Sequence, residues 1–267
     1  GGWGLGQVVA VKTMNLAMKK AENHDIGAVA THKCCHIGRM ADYALMAAKR
    51  DMIGFCTVIH YAQVVPYGGA EPIFNQGPIC IAAPAGEEQD FMLDISTSVC
   101  AGGKVLQALA LGKRMPEGYI VDKDGNPTTD PIDFVKGGAV LPMGGPVAYK
   151  GYGLGMAVDI IAGILTGRGS AYYNRSDEQG VFQMAIRIDA FQQVQKFKAE
   201  MDKLIRAVKN SKKASGFKEI LIPGELELWN EKEKLKKGID VPEKTWNEIL
   251  QIAQKVNVDI EPLLAKK

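Results

Sequence analysis

The chain has 267 residues, 46% of them hydrophobic and 23% charged, enough to bury a substantial core in one large domain or two small ones. Its 32 basic and 30 acidic residues leave a net charge of only +2, which weakly motivates attraction to nucleic acid or to an anionic membrane. The most apolar stretch, 153–167, contains Asp159 and is shorter than the roughly 20 apolar residues of a membrane span. These bounds exclude nucleic acid and membrane as expected partners and favour small-molecule chemistry.

The five cysteines are odd in number, and most of them stand in apolar surroundings. Secreted disulfide frameworks are shorter and more cysteine-dense than this chain. We therefore expect reduced core cysteines and a cytoplasmic, reducing compartment.

The first part of the chain alternates between helical and extended patterns. Val8, Val11, Met14 and Met18 recur at the spacing of one helix face, which predicts a helix over 7–24. Short apolar runs bounded by turn residues predict strands, and alanine-rich or periodic runs predict helices between them. The predicted strands are 26–31, 52–58, 79–83 and 91–95, and the predicted helices are 41–50 and 102–111.

The second part continues the alternation after a segment, 119–131, that is rich in Asp, Gly, Asn and Pro and predicts an exposed loop. Further elements follow from periodicity, and the Lys/Glu-rich remainder from Leu226 onward predicts solvated helices. These elements are a helix over 153–165, a strand over 181–189, a helix over 191–209 and a strand over 219–225. The pattern predicts an α/β fold with mixed strand directions.

His32, Cys34, Cys35 and His36 stand together just before an alanine-rich helical pattern. Adjacent cysteines on a strand point to opposite faces, which disfavours zinc, and a redox pair would need a two-residue spacer. A histidine at the carboxyl end of a strand stands where open α/β sheets place ligands. His36 is therefore a candidate general base, and a purely structural histidine is the open alternative.

Two other segments have both a functional and a structural interpretation. In the glycine-rich segment 143–157, Lys150 and backbone N–H groups could face an anion, or the glycines could only allow close packing. In 94–98, Asp94 and three hydroxyl side chains suit polar ligand contacts, although residues 96–98 could instead cap the next helix. Asp94 itself needs a partner at the end of an apolar strand. The glycines of GGWGLGQ lack the preceding strand that a dinucleotide fingerprint requires.

Several segments form one pattern in order and spacing: GLGQVVAVKTMNLAMKKAENHDIGAVA, CCHIGRMADYALMAA, VVPYGGAEP, FMLDISTSVCAGGKV, MPEGYIVDKDGNPTTDP, LPMGGPVAYKGYGLGMAVDIIAGILTG and ILIPGE. The pattern resembles the type 2, non-Rossmann malate/L-lactate dehydrogenase family, which includes sulfolactate, ureidoglycolate and diketogulonate enzymes. The resemblance spans nearly the whole chain.

The resemblance implies that NAD or NADP serves as cofactor for the interconversion of a 2-hydroxy acid and its 2-oxo acid. It also implies a homodimer without a metal ion, on the mixed-sheet α/β fold of that family. The whole chain, 1–267, would then be one family region. Its cofactor-binding core would cover about 55–225, between helical segments at 1–50 and 226–267.

The resemblance also assigns site residues. His36 matches the histidine that acts on the substrate hydroxyl as acid and base, and Asp94 is the second expected catalytic residue. His60 stands where a cofactor-contacting serine is common. The remaining expected cofactor contacts are Asp90, Phe91, Met92, Leu93, Asp94, Ile95, Ser96, Tyr149, Lys150, Gly224 and Glu225.

The sequence departs from the family pattern at several positions. Nothing in it matches the family's upstream Ser-His-Gly motif, so the resemblance implies that a segment with a second catalytic histidine is missing. Cys34 and Cys35 replace small polar residues and Asn, FNQGP replaces G-T-N-P, and 146–148 is an insertion. The alternative hypothesis is therefore a catalytically impaired member that acts as a structural or ligand-binding protein.

Overall fold

The computed structural model describes residues 1–260. The chain divides into two compact units, one spanning Gly1–Gly224 and one that begins at Glu225. The strands of the first unit are β1 (Ile26–Cys34), β2 (Met52–Ile59), β3 (Ile79–Ala83), β4 (Phe91–Ile95), β5 (Ile120–Val121), β6 (Pro127–Thr128), β7 (Ala139–Val140) and β8 (Gln179–Arg187).

The helices of the first unit are α1 (Gly6–His24), α2 (Ala41–Ala48), α3 (Gly102–Ala110), α4 (Pro131–Val135), α5 (Tyr149–Val158) and α6 (Val194–Lys209), with a 3₁₀ turn at Gly145–Val147 and a π-helix at Asp159–Ile164. The second unit contains α7 (Glu225–Lys237) and α8 (Glu243–Lys255), as the charge pattern predicts.

Five strands form the main sheet in the order β1-β8-β2-β3-β4, and three short strands form a second sheet in the order β6-β5-β7. Every paired ladder of the main sheet is antiparallel. Because β8 lies between β1 and β2, these two strands run in the same direction, and α2 connects them. The predicted strand, helix and strand over 26–58 therefore form a β-α-β unit. The α/β class with a non-Rossmann sheet is confirmed.

Helix α1 has the predicted extent, but its buried face differs from the predicted one. Met14 and Met18 are fully buried, whereas Val8 is 49% exposed and Val11 39% exposed. Small residues complete the buried face instead, at Gly6, Ala10, Ala17 and Ala21. Alanine and glycine let the helix approach the sheet closely. The periodicity of the larger side chains therefore predicted the burial of Met14 and Met18 correctly and that of Val8 and Val11 wrongly.

The segment predicted as a loop over 119–131 contains the hairpin of β5 and β6. Ile120 and Val121 are buried and pair with β6 and β7. The Asp122 carboxylate accepts hydrogen bonds from the N–H groups of Asp124 and Asn126, both at 2.9 Å. This Asx-type turn closes the hairpin, so the turn residues that indicated a loop in fact connect two strands.

Two boundaries after residue 140 also differ from the prediction. Helix α5 begins at Tyr149, before the predicted start, and its continuation is a π-helix in which the N–H of Leu165 donates to the Ile160 carbonyl at 2.9 Å. The strand predicted at 219–225 is absent. A backbone hydrogen bond from the Met92 N–H to the Pro223 carbonyl, at 3.4 Å, joins this segment to β4. Pro223 lacks an N–H, and Gly224, with φ of 98°, turns the chain away.

The main core lies between the sheet and helices α1 and α2, around Met14, Met18, Met40 and Tyr43. Within residues 1–260, no helix is both long enough and apolar enough to span a membrane.

Candidate active site

A cleft of about 560 Å³ lies at the edge of the main sheet where β1, β2 and β4 end. A pocket of this size suits a small ligand or part of a cofactor. The polar and titratable side chains of its wall are His36, Arg39, His60, Asn75, Gln76, Asp94, Ser96, Ser98, Cys100, Lys104 and Gln179.

His36 lies in the junction between β1 and α2 and is held by Gln179, the first residue of β8. The Gln179 side-chain nitrogen is 3.0 Å from His36 Nδ1. The Gln179 oxygen accepts the backbone N–H of Ile37, also at 3.0 Å. Gln179 is only 4% exposed, and its backbone pairs with Cys34. The imidazole therefore turns Nδ1 toward the protein and leaves Nε2 for the cleft.

The same junction has a second side-chain contact from Glu178, the residue just before β8. Glu178 accepts the N–H of Lys33 at 2.7 Å, where β1 has an irregularity and Lys33 has a φ of 52°. Buried Arg168 in turn donates from Nε to the Glu178 carbonyl at 2.8 Å. Its guanidinium also donates to four further carbonyls of the loop before β8, those of Gly169, Ser170, Asn174 and Ser176. Arg168 thus fixes the loop that delivers Glu178 and Gln179.

Asp94 finds its partner at the start of α2. Its carboxylate accepts the N–H of Ala41 at 3.0 Å, a favourable position for a negative group at a helix N-terminus. Burial raises the pKa of Asp94, and this hydrogen bond and the charge of Arg39 partly offset the effect. Asp94 lines the cleft while it also caps α2.

His60 lies at the end of β2 and lines the same cleft as His36. Burial lowers the pKa of His60 to about 4, and the nearby Arg168 and His36 side chains act in the same direction. The ring stacks edge-on against Tyr61 at 4.6 Å between centroids. His60 is thus a neutral ring at neutral pH.

One interpretation of the sequence was that the hydroxyls after β4 cap α3. The structure shows that they do not. Ser96 donates to the Ser98 carbonyl at 2.9 Å, and Ser98 donates to the Cys100 carbonyl at 2.7 Å. These bonds shape the turn along the cleft wall. Arg39 and Lys104 bring two positive charges to the same wall.

Residues 1–250 match the malate/L-lactate dehydrogenase family. The chain belongs to this family of oxidoreductases. An L-sulfolactate dehydrogenase of Methanocaldococcus jannaschii is 40% identical, over 98% of this chain and 76% of that protein. An NAD(+) ureidoglycolate dehydrogenase of Escherichia coli is 30% identical, over 88% of this chain and 68% of that protein. The crystal structure of malate dehydrogenase from Entamoeba histolytica superimposes with a TM-score of 0.91 at 28% identity, over 97% of this chain and 76% of that one.

For this malate/L-lactate dehydrogenase family member, the cleft brings together one group of the predicted residues, namely His36, His60, Asp94, Ile95 and Ser96. Other residues of the predicted cofactor segment have structural contacts. Asp90 accepts the N–H of Ala85 at 2.9 Å, and Met92 packs in the main core. Phe91 and Leu93 are partly buried within β4.

The remaining predicted cofactor residues lie outside the cleft wall. Tyr149 and Lys150 form the exposed first turn of α5, and the Lys150 ammonium is 6.0 Å from the centroid of the Tyr149 ring. Gly224 lies close to Met92 in the first unit, and Glu225 opens the second unit. Their assignment to cofactor binding stays a prediction.

Of the glycines next to Lys150, Gly151 is closely packed and Gly153 is not. A Cβ on Gly151 would stand 2.2 Å from the Met143 carbonyl oxygen, whereas a Cβ on Gly153 would meet nothing within 4 Å. Gly151 therefore allows α5 to contact the backbone before the 3₁₀ turn. No cluster of three or more metal-binding side chains is found within residues 1–260.

Sequence reasoning missed Arg39, Lys104 and above all Gln179. Arg39 directly follows the His-Ile-Gly step and could have been found there. Gln179 could not, because it lies 143 residues from His36 and meets it only through the pairing of β1 with β8.

Proposed function

We propose that this protein is an NAD(P)-dependent oxidoreductase that interconverts a 2-hydroxy acid, of malate or lactate type, and its 2-oxo acid. The observation that carries the proposal is the cleft in which the His36 imidazole faces a wall with two cations, Arg39 and Lys104. A substrate of this class has one anionic carboxylate next to the oxygen that gains or loses a proton. An imidazole beside cationic groups matches both features.

The residues of the cleft fit a nicotinamide cofactor in their chemistry. Ser96 and Ser98 supply hydroxyl oxygens that can accept hydrogen bonds from an amide or ribose. The Asn75 and Gln76 amides bond Tyr61, Gly77 and Gln63, so they shape the wall of the cleft. Arg39 and Lys104 are available for phosphate or carboxylate oxygens. When bound, the cofactor supplies hydride transfer, and the protein supplies orientation and proton handling.

The role of His36 follows from the balance of the reaction. Oxidation of the hydroxy acid removes a hydride from C2 and a proton from the C2 oxygen, and reduction returns both. His36 is the group proposed to act on that oxygen as acid and base. Asp94 supports it by fixing the start of α2, immediately after the His36 junction. Neutral His60 adds no charge that would compete with Arg39 and Lys104.

A homodimer is part of the proposal. Exposed apolar side chains form two candidate surfaces within the first unit. One is on α1, and the other is on α5 and the π-helix. The first surface comprises Val8 and Val11 of α1 with Leu5 just before it, and the second comprises Leu154, Met156, Ile160, Ile164 and Leu165. Large groups of exposed apolar residues are rare on monomeric proteins, and two-fold self-association is the commonest way to bury them.

The catalytic proposal is tested with purified protein, NADH or NADPH, and the 2-oxo acids that correspond to malate, lactate and sulfolactate. We expect loss of dihydronicotinamide absorbance with at least one acid, and a far slower loss with His36→Ala. Binding of NAD(P)H without turnover of any acid would instead support the ligand-binding alternative.

Assembly is tested by light scattering at micromolar concentration. We expect a species of twice the 28.9 kDa chain mass. Val8→Lys and Ile164→Lys each place a charge on one of the two surfaces, so the variant that yields monomers identifies the interface. A monodisperse species at the chain mass would contradict the homodimer.

A further inference from the structure

The contact between Gln179 and His36 restricts the protonation of the imidazole. An amide side chain has one acceptor oxygen and one donor nitrogen, and which end faces which partner follows from the surrounding hydrogen bonds. At Gln179 the backbone N–H of Ile37 points at one end, at 3.0 Å. A backbone N–H can only donate, so this end must be the oxygen. The other end, which faces His36 Nδ1 at 3.0 Å, must be the donor NH₂.

Nδ1 must then accept a hydrogen bond. A neutral imidazole carries one proton, and if Nδ1 is the acceptor the proton lies on Nε2. The other two arrangements, neutral with Nδ1–H or doubly protonated, would set two N–H groups against each other. Reversing the amide would repair that contact but would set its NH₂ against the N–H of Ile37. Because Gln179 is buried, water cannot easily relieve either conflict.

We infer that Gln179 is a positioning residue that holds the neutral His36 ring with its proton on Nε2, so that His36 meets the cleft as a hydrogen-bond donor. This inference rests on the proposed function for its chemical meaning, but not for its geometry. A 2-oxo acid offers a carbonyl oxygen that accepts such a bond.

To act as the acid of the proposed reaction, the ring must first bind a second proton at Nδ1, because loss of the Nε2 proton from the neutral ring would leave an imidazolate. To act as the base, it must move its own proton from Nε2 to Nδ1. Both changes set an N–H against the Gln179 amide, so Gln179 opposes them in the resting protein.

The geometry around Gln179 is rigid enough for this role. Glu178 anchors Lys33 and Gln179 anchors Ile37, so two consecutive residues at the start of β8 hold both sides of the His36 junction. Arg168 fixes the Glu178 backbone from behind. The amide therefore has little freedom to move away from the ring.

The decisive variant is Gln179→Glu, which is nearly the same size. A carboxylate can accept the Ile37 N–H with one oxygen and a proton from Nδ1 with the other. We expect the ring to move its proton to Nδ1 or to become doubly protonated. The matched control is Gln76→Glu, the same change on the same cleft wall at a residue that bonds Gln63 instead.

The readout is long-range ¹⁵N–¹H NMR of the histidine rings, which distinguishes a protonated ring nitrogen from a bare one. The chain has only four histidines, so the spectrum of a His36→Asn variant assigns the His36 signals. In the parent protein and in Gln76→Glu, we expect a bare Nδ1 and a protonated Nε2. In Gln179→Glu we expect a protonated Nδ1, and a second proton retained to a pH about one unit higher or more.

Other titratable groups of the cleft also influence the His36 ring, but their influence is the same in all variants and cancels in the comparison. These groups are Arg39, His60, Asp94, Cys100 and Lys104. A protonated Nδ1 in the parent would overturn the inference. So would an unchanged ring in Gln179→Glu. The spectra need neither substrate nor cofactor. Failure of all 2-oxo acids to turn over would therefore refute the proposed function and leave the tautomer result standing.

Discussion

The junction before α2 and the entry to α5 both bring backbone into close contact, but they do so by different means. At the junction, the side chains of Glu178 and Gln179 accept the N–H groups of Lys33 and Ile37. At the entry to α5, Gly151 packs directly on the Met143 backbone, with no space for a side chain. The contacts at the junction therefore depend on the charge and protonation of side chains. The contact at the entry to α5 depends on the size of the side chain at position 151.

This difference separates a region suited to chemistry from one suited to support. The junction holds an imidazole whose free nitrogen faces a cleft, and its hydrogen bonds can change with pH. The glycine-rich entry holds a helix at a fixed distance and leaves Lys150 exposed on its surface. Substitutions in the two regions should affect different properties, turnover in one and stability in the other.

The largest expected effect is on turnover at the junction. His36→Ala removes the only imidazole that Gln179 positions, and we expect kcat to fall by about two to four orders of magnitude, the range for loss of a positioned acid–base group. Steady-state kinetics with NAD(P)H and the active 2-oxo acid measure it, and urea unfolding checks that stability is retained. An unchanged kcat would remove His36 from the mechanism.

The pH dependence of stability gives the next effect, at His60. Burial lowers the pKa of His60 to about 4 from its usual 6.5, so the unfolded chain binds a proton over this window and the folded protein does not. As far as His60 is concerned, the free energy of unfolding is highest above about pH 6.5. It falls by up to about 3 kcal/mol as the pH decreases toward 4.

Urea unfolding between these pH values measures this loss. We expect His60→Gln to flatten the dependence, while His24→Gln, at the exposed end of α1, keeps the parent slope. Parallel slopes for His60→Gln and the parent would show that His60 titrates alike in the folded and unfolded chains.

The entry to α5 gives a matched pair of opposite sign. Gly151→Ala places a Cβ 2.2 Å from a backbone oxygen, and we expect a loss of about 1–3 kcal/mol. Gly153→Ala places the same group in open space on the same helix, and we expect a gain of about 0.5–1 kcal/mol. Thermal and urea unfolding measure both. Equal effects at the two positions would contradict the packing role of Gly151.

These two regions also show which structural features could be predicted from the sequence. Local patterns predicted most helices and strands, and the strand-to-helix position of His36 predicted a ligand-facing histidine. They failed where long-range contacts decide. The buried face of α1 depends on alanines that the periodicity of larger residues overlooks, and residues 219–225 belong to neither of the two described sheets. Gln179 became visible only once β8 was placed beside β1. The turn residues at 122–126 could equally end a strand or form a loop.

The smallest expected effects concern two lysines, one in the wall of the cleft and one at the entry to α5. Lys104 lines the cleft, and Lys150 lies on the exposed first turn of α5. Exposed charges contribute about 0.2–1 kcal/mol to a pairing, so each removal should weaken binding by no more than about fivefold. We expect Lys104→Ala to raise the KM of the 2-oxo acid, and Lys150→Ala to weaken NAD(P)H binding with the fold retained.

Fluorescence titration of NAD(P)H and steady-state kinetics separate these two outcomes. Both effects should shrink as salt is added, because screening weakens exposed charge pairs. Equal NAD(P)H titrations for Lys150→Ala and the parent would remove Lys150 from cofactor binding, and the glycine-rich entry would then serve packing alone. An unchanged KM for Lys104→Ala would instead leave Arg39 as the cation of the cleft wall that meets the substrate carboxylate.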